Sequence, residues 1–191
     1  MNDHKILDIV TLPHPCLTTK AKPIPNTLEG LQEAKEIIAK LTDTLRSRMP
    51  AAGLAAPQIG ISAYVFIFSW DRTDTHLEAA INPSFEPIDT EMNLGWEGCF
   101  SVPLALAQVP RYQTILATYT NLQGQQVKYI LRGFAARVFQ HEFDHLEGIE
   151  NIHKENAKIK NFTTHEKLVE FITEVKRSDV VNYIKPEFMA E

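Results

Sequence analysis

The chain has 191 residues, of which 44% are hydrophobic and 23% charged, with a formal net charge of −5. That composition is globular and sufficient for a sizeable core, and the acidic balance argues against nucleic-acid binding driven by counterion release, so no direct DNA binding is expected. No apolar run approaches the ~20 residues a membrane helix needs, Met1 to Lys5 shows no signal core, and two cysteines, Cys16 and Cys99, make no disulfide framework. A cytoplasmic protein that spans no membrane is the expectation.

One domain over 1–191 is expected. Residues 1–26 read as an irregular lead-in: Pro13, Pro15, Pro23 and Pro25 interrupt any long helix, and Ile6 to Val10 can bury a short segment. From Thr27, a plausible N-cap, Leu28, Leu31, Ile38, Leu41 and Leu45 recur at helical spacing, and Pro50 closes the helix. A loop from Gly53 to Gly60 follows, then a buried strand from Ala63 to Phe68. His76 to Ile81 and Ser84 to Ile88 read as two strands separated by Asn82 and Pro83. Thr114 to Thr120 and Gln126 to Leu131 read as a hairpin turning at Gln123 and Gly124. Gly133 to Leu146 reads as one helix ending before Gly148, and 152–191 as a helical tail. In that tail Thr163 and Glu166 form a capping-box pattern ahead of the stripe Leu168, Phe171, Ile172 and Val175. The fold class is α+β: mixed or antiparallel sheets packed around a central helix, with a C-terminal helix.

That central helix carries the first chemical signal. His141 and His145 stand four apart, so both rings lie on one face and can reach one ion, and Glu142 can meet a water beside it. This is the HExxH pattern of metal-dependent hydrolases, although i, i+4 histidines also decorate solvated helices. A third ligand must come from elsewhere, and carboxylates, other histidines and the cysteines are all candidates. Cys99 stands out for its setting, Gly95 to Ser101 (GWEGCFS), where glycines allow close backbone approach. Its plainer reading is a small buried hydrophobe. The small-residue stretch from Gly53 to Gly60 (GLAAPQIG) holds one polar side chain, Gln58. Its amide can donate to an oxyanion, or simply brace a turn.

GLAAPQIG, then EGCFS, then QHEFDHLEG, in this order, closely resemble the peptide deformylase family. The segment from Leu12 to Leu17, Ala21 to Pro23, and Ile81 to Pro83 extend the likeness from about Ile6 to Gly148. The resemblance implies removal of the formyl group from the N-terminal formylmethionine of newly made polypeptides, with release of formate. It implies that Cys99, His141 and His145 bind one divalent metal, ferrous iron in the cell, with zinc, nickel or cobalt as substitutes. Glu142 would be the base and then the acid, and Gln58 with the Phe100 N–H would form the oxyanion hole. Gly53 and Gly98 would bind the peptide backbone alongside a strand. Glu97, counted with the substrate-binding residues, would brace the site by pairing with Arg111. Ala52, Phe134, Val138 and the His141 ring would line the methionine pocket, although Phe134 and Val138 read equally well as core. Asp144 reads as a surface acid or a hydrogen-bond partner to the site. The partners implied are N-formylmethionyl nascent peptides and, through the tail, the ribosome.

Several positions depart from the family pattern: Ala51 for a glycine, Phe100 for a leucine, Leu104 to Ala107 where glycine and a basic residue are usual, and Glu150 to His153. Leu106 falls at or near the basic position, so contacts to the peptide beyond methionine should change. Two other readings therefore stand: a divergent hydrolase of other formyl amides, and a metal-bearing protein that binds ribosomes or peptides without turnover. Glu142 and Gln58 count against the second, because binding alone needs neither.

Overall fold

The structure is a computed structural model that describes residues 6–178 and 181–189. Met1 to Lys5, read above as lacking a signal core, lie outside the described residues. The elements in chain order are α1 (Leu28–Arg46), β1 (Gly53–Ala55), β2 (Val65–Ser69), β3 (Leu77–Pro87), β4 (Met92–Cys99), β5 (Val102–Tyr112), β6 (Thr114–Thr120), β7 (Gln126–Arg132), α2 (Phe134–Leu146), β8 (Lys158–Asn161), α3 (His165–Ser178) and β9 (Glu187–Phe188). They form a six-stranded sheet, β1-β2-β3-β6-β7-β9, and a three-stranded sheet, β4-β5-β8, with every pairing antiparallel. Among the described residues no helix is long and apolar enough to cross a membrane.

β2 organises the core because its two faces bury different chemistry. Val65 and Ile67 join Leu54 and the α1 stripe of Ala34, Ile37, Ile38, Leu41 and Leu45. Phe66 and Phe68 face the other way, toward α2, with Ala135, Val138, Phe139 and Leu146. Phe139 is the hub there: its ring lies edge-on to Phe66 at 5.0 Å and to Phe68 at 5.4 Å. The smaller sheet is held to α2 by polar contacts instead. Gln140 Oε1 accepts from Tyr112 N at 3.0 Å and Nε2 donates to Tyr112 O at 2.9 Å, one amide satisfying both backbone groups. α2 thus stands between the sheets, fixed by aromatic packing on one side and by hydrogen bonds on the other.

The lead-in is a tie rather than a tail. Val10 N donates to Gln58 O, Leu12 N to Ser101 O and Ala21 N to Leu146 O, so one extended segment links all three motif-bearing regions. α2 ends in a Schellman turn: Ile149 N reaches Asp144 O, Gly148 N reaches His145 O, and Gly148 takes φ 73°. Gly148 is also pressed on the Thr18–Thr19 backbone, where a Cβ would lie 2.8 Å from Thr19 N.

Several expectations from sequence need correction. The two strands expected around Asn82 and Pro83 are one strand, β3, with a bulge between Ile81 and Ser84. Asn82 takes φ 47°, and its side chain pairs both backbone groups of Ile24, so the bulge is held from outside the sheet. Gly53 to Ala55 pair as a strand within the expected loop. α1 stops at Arg46, before Pro50 can act. α3 starts at His165; Thr164 rather than Thr163 caps it, accepting from Lys167 N at 3.4 Å. The stretch after 152 adds strand β8 to the smaller sheet, and α3 packs on that sheet through Phe171 against Trp96.

Candidate metal centre

Three elements distant in sequence meet at the start of β1, the end of β4 and the middle of α2. The ligating atoms of Cys99, His141 and His145 all lie within 4.8 Å of one another. Cys99 Sγ is 3.4 Å from His145 Nε2, and the two imidazoles stand edge-to-face at 4.9 Å. Each ring is gripped at its far nitrogen by a buried carboxylate: His141 Nδ1 by Glu97 Oε2 at 2.9 Å, His145 Nδ1 by Glu150 Oε1 at 3.1 Å. Carboxylates on both Nδ1 atoms fix the tautomers so that both Nε2 atoms are left as donors to a metal. A soft sulfur with two imidazole nitrogens suits a borderline divalent ion.

Electrostatics agrees with that fit. Burial raises the Cys99 thiol, but the two histidines outweigh it and hold the thiol below its ordinary value. Burial depresses both histidines, yet Cys99 and Glu97 push His141 up to about 10, and Cys99 and Glu150 raise His145 well above its usual value. Cys99, Glu97 and Glu150 thus favour positive charge between them, which the two rings supply here and a bound cation would supply in their place.

Glu142 sits beside these three candidate ligands and is buried on α2. Among the described residues its Oε2 has no hydrogen-bond partner, and burial raises its carboxyl above the ordinary value. Gly53 lies directly against it: a Cβ there would be 2.5 Å from Glu142 Oε1. Gln58, only 2% exposed, is oriented by Ala55 N donating to its Oε1 at 2.9 Å. That turns Nε2 toward Cys99 Sγ and Ser101 Oγ, each at 3.4 Å. Phe100, 41% exposed as a residue, follows Cys99 in the turn between β4 and β5.

Behind the candidate ligands runs a chain of ion pairs. Arg111 holds Glu97 with two parallel bonds, Nε to Oε1 at 2.9 Å and Nη2 to Oε2 at 2.8 Å, and pairs through Nη1 with Asp144. Lys154 reaches Asp144 Oδ1 at 2.6 Å, so Asp144 is a buried network member and not a surface acid. Arg137 adds a further bond to Glu97 Oε1 at 2.8 Å and lies flat over Gly95, where a Cβ would sit 2.7 Å from its Cζ. Burial raises Glu97, but Arg111 and His141 prevail and keep the carboxylate well below its usual range. The Glu97 side chain is thus committed to Arg111, Arg137 and His141.

The remaining expected residues fall around this core. β1 and β4 are the outer strands of their sheets, so Gly53 and Gly98 lie on backbone edges flanking the candidate ligands, and Ala52 precedes β1 with its carbonyl accepting from Ser69 N. Phe134, Val138 and His141 lie on one stripe of α2. Val138 is buried, while the half-buried Phe134 lies 4.6 Å beneath the Arg72 guanidinium and edge-on to Tyr183. Leu106 is buried opposite Gly98, so no basic group is offered from that position. Ala51 is buried, and Leu104 takes φ 59°. Glu150 and Arg137 were not singled out from sequence. A glutamate after a helix and an arginine within one ordinarily face solvent, and only the departure at Glu150 from the usual apolar residues marked the first.

The family model for polypeptide deformylase matches residues 6–161. The chain belongs to the polypeptide deformylase family. Among deformylase relatives, "Peptide deformylase 2" of Ralstonia nicotianae is 44% identical over 124 residues, covering 61% of this chain and 70% of that one. The crystal structure of peptide deformylase from Thermotoga maritima superposes with a TM-score of 0.71 at 36% identity, over 79% of this chain and 98% of that chain. A Met-Ala-Ser-bound class I type b peptide deformylase from Acinetobacter baumannii gives 0.71 at 31% identity, over 78% and 99%. The two solved deformylases are spanned almost completely, and the family match stops at β8, so α3 and β9 lie beyond it.

Proposed function

We propose that this protein is a peptide deformylase: it hydrolyses the N-formyl amide of nascent formylmethionyl polypeptides to formate and a free amino terminus. The observation that carries the reading is the convergence of Cys99, His141 and His145 beside Glu142, whose Oε2 has no protein partner among the described residues. A packed core would not keep a buried carboxylate oxygen unsatisfied next to three metal-ligating atoms.

Cys99, His141 and His145 would hold the cation. When bound, it supplies a water of near-neutral pKa and offsets charge on the formyl oxygen. Glu142 takes a proton from the attacking water, its pKa raised by burial toward the range of a working base. The water oxygen joins the formyl carbon, and Gln58 Nε2 with the Phe100 N–H donates to the developing oxyanion. Glu142 then returns the proton to the departing nitrogen as the C–N bond breaks. Gly53 and Gly98 offer their strand edges to the peptide backbone, and Ala52, Phe134, Val138 and the His141 ring wall the methionine side chain. Glu97 acts through His141, holding the ring rather than touching substrate.

A thiolate ligand makes this centre softer than a His₂–carboxylate site, and ferrous iron is its proposed cellular occupant, with zinc, nickel or cobalt able to replace it. The reaction is placed in the cytoplasm. Docking to the ribosome is assigned to the stretch from Ile152 onward, and co-sedimentation with ribosomes tests it. The decisive assay is formate release from formyl-Met-Ala-Ser by anaerobically purified protein, with metal content measured on the same sample. Metal-dependent release, lost about 10²–10⁴-fold in Glu142→Gln, supports the reading. Release only from peptides lacking methionine, or none from a metal-loaded sample, contradicts it.

A further inference from the structure

Glu150 has no part in the chemistry above, yet its carboxylate is at the centre. It is 0% exposed. It lies beyond α2, where the Schellman turn folds the chain back on His145. Oε1 is 3.1 Å from His145 Nδ1 and Oε2 is 3.6 Å from Cys99 Sγ. Two other buried carboxylates of the site are matched by fixed cations: Glu97 by Arg111 and Arg137, Asp144 by Arg111 and Lys154. Among the described residues Glu150 pairs with no lysine or arginine, and His145 is its single ion-pair partner. A carboxylate removed wholly from water without a fixed counter-charge is costly, so its compensation must come from what it faces. It faces two of the three ligands from behind. On the Nδ1 side of the ring, opposite the Nε2 that converges with Cys99, it is placed to orient His145 rather than to join the ligand set.

We propose that Glu150 is a positioning residue of the metal centre: it locks His145 with Nε2 toward Cys99 and sets how tightly the divalent cation is retained. The two histidines are then held alike, each by its own carboxylate. Glu97, shared with two arginines, lends its ring little net negative charge, whereas Glu150 lends its full charge. The inference rests on the metal reading of the site, and its test does not use turnover.

Glu150→Gln keeps the volume and removes the charge. Zn(II) affinity, measured by competition with a chromophoric chelator, is expected to fall by about 10–100-fold. The thiolate charge-transfer and d–d absorption of the Co(II)-loaded protein should shift with it. A fall of less than about threefold with an unaltered Co(II) spectrum overturns the proposal, because a group that only fills space would leave both in place. Should the Gln variant not fold, Co(II) release from Glu150→Asp decides: the charge is kept but drawn back by one methylene, so faster release supports the proposal and an unchanged rate overturns it. Wild-type protein that takes up neither Zn(II) nor Co(II) contradicts the centre itself; tight binding by wild type and variant alike contradicts only the role of Glu150.

Discussion

A methyl group at position 53 would sit 2.5 Å from Glu142 Oε1, so the first motif owes its glycine to the third motif's acid. Gly53→Ala should keep the fold and displace Glu142, lowering kcat for formyl-Met-Ala-Ser by about 10²-fold, the scale of a 1 Å misplacement. Unchanged kcat would mean that Glu142 is not held there. Glu97 supplies a pH prediction. Its folded value is depressed, so the stability it contributes is full above its ordinary value of 4.5 and is lost as pH falls toward the folded one. Metal-free protein should therefore weaken below about pH 5, and Glu97→Gln should flatten that limb in urea titrations at stepped pH. Equal acid slopes would remove Glu97 from the account. At this scale His141, His145 and Glu142 of the proposed centre stand out in the sequence by their spacing, and Cys99 by its motif's likeness to the family. Glu150 does not, because nothing in a Gly-Ile-Glu run shows that a helix-ending turn carries the acid back to the ring it follows.

Among the elements, α2 carries the most. Its aromatic side fixes it to the large sheet, and Phe139 is the residue on which Phe66, Phe68, Phe85 and Tyr119 all lean. Phe139→Ala should cost about 3–5 kcal/mol by chemical denaturation, with a matching loss of metal affinity as the histidines slip. A loss below ~1 kcal/mol would show that the polar clasp of Gln140 and Arg137 holds the helix by itself. Helical periodicity made α1 and α2 readable, and the β6–β7 hairpin announced itself by alternation and turn. The β4–β5 hairpin did not. Gly95, Gly98, Pro103 and Pro110 blur its period; Gly95 leaves room for the Arg137 guanidinium, and Gly98 stands at the register shift before Cys99.

Over the whole molecule, two sheets are joined across one helix, and the candidate site lies where the outer strands β1 and β4 meet that helix. The α+β class followed from the order of elements. The join did not, because it depends on lead-in hydrogen bonds from Val10, Leu12 and Ala21 that carry no side-chain signal. One metal centre built from the edges of both sheets and α2 is the proposal on which the function depends. X-ray absorption at the metal edge of anaerobically loaded protein tests it most directly: one sulfur and two imidazole neighbours are predicted, the sulfur vanishing in Cys99→Ala. A sulfur-free coordination sphere in the wild-type protein would contradict it.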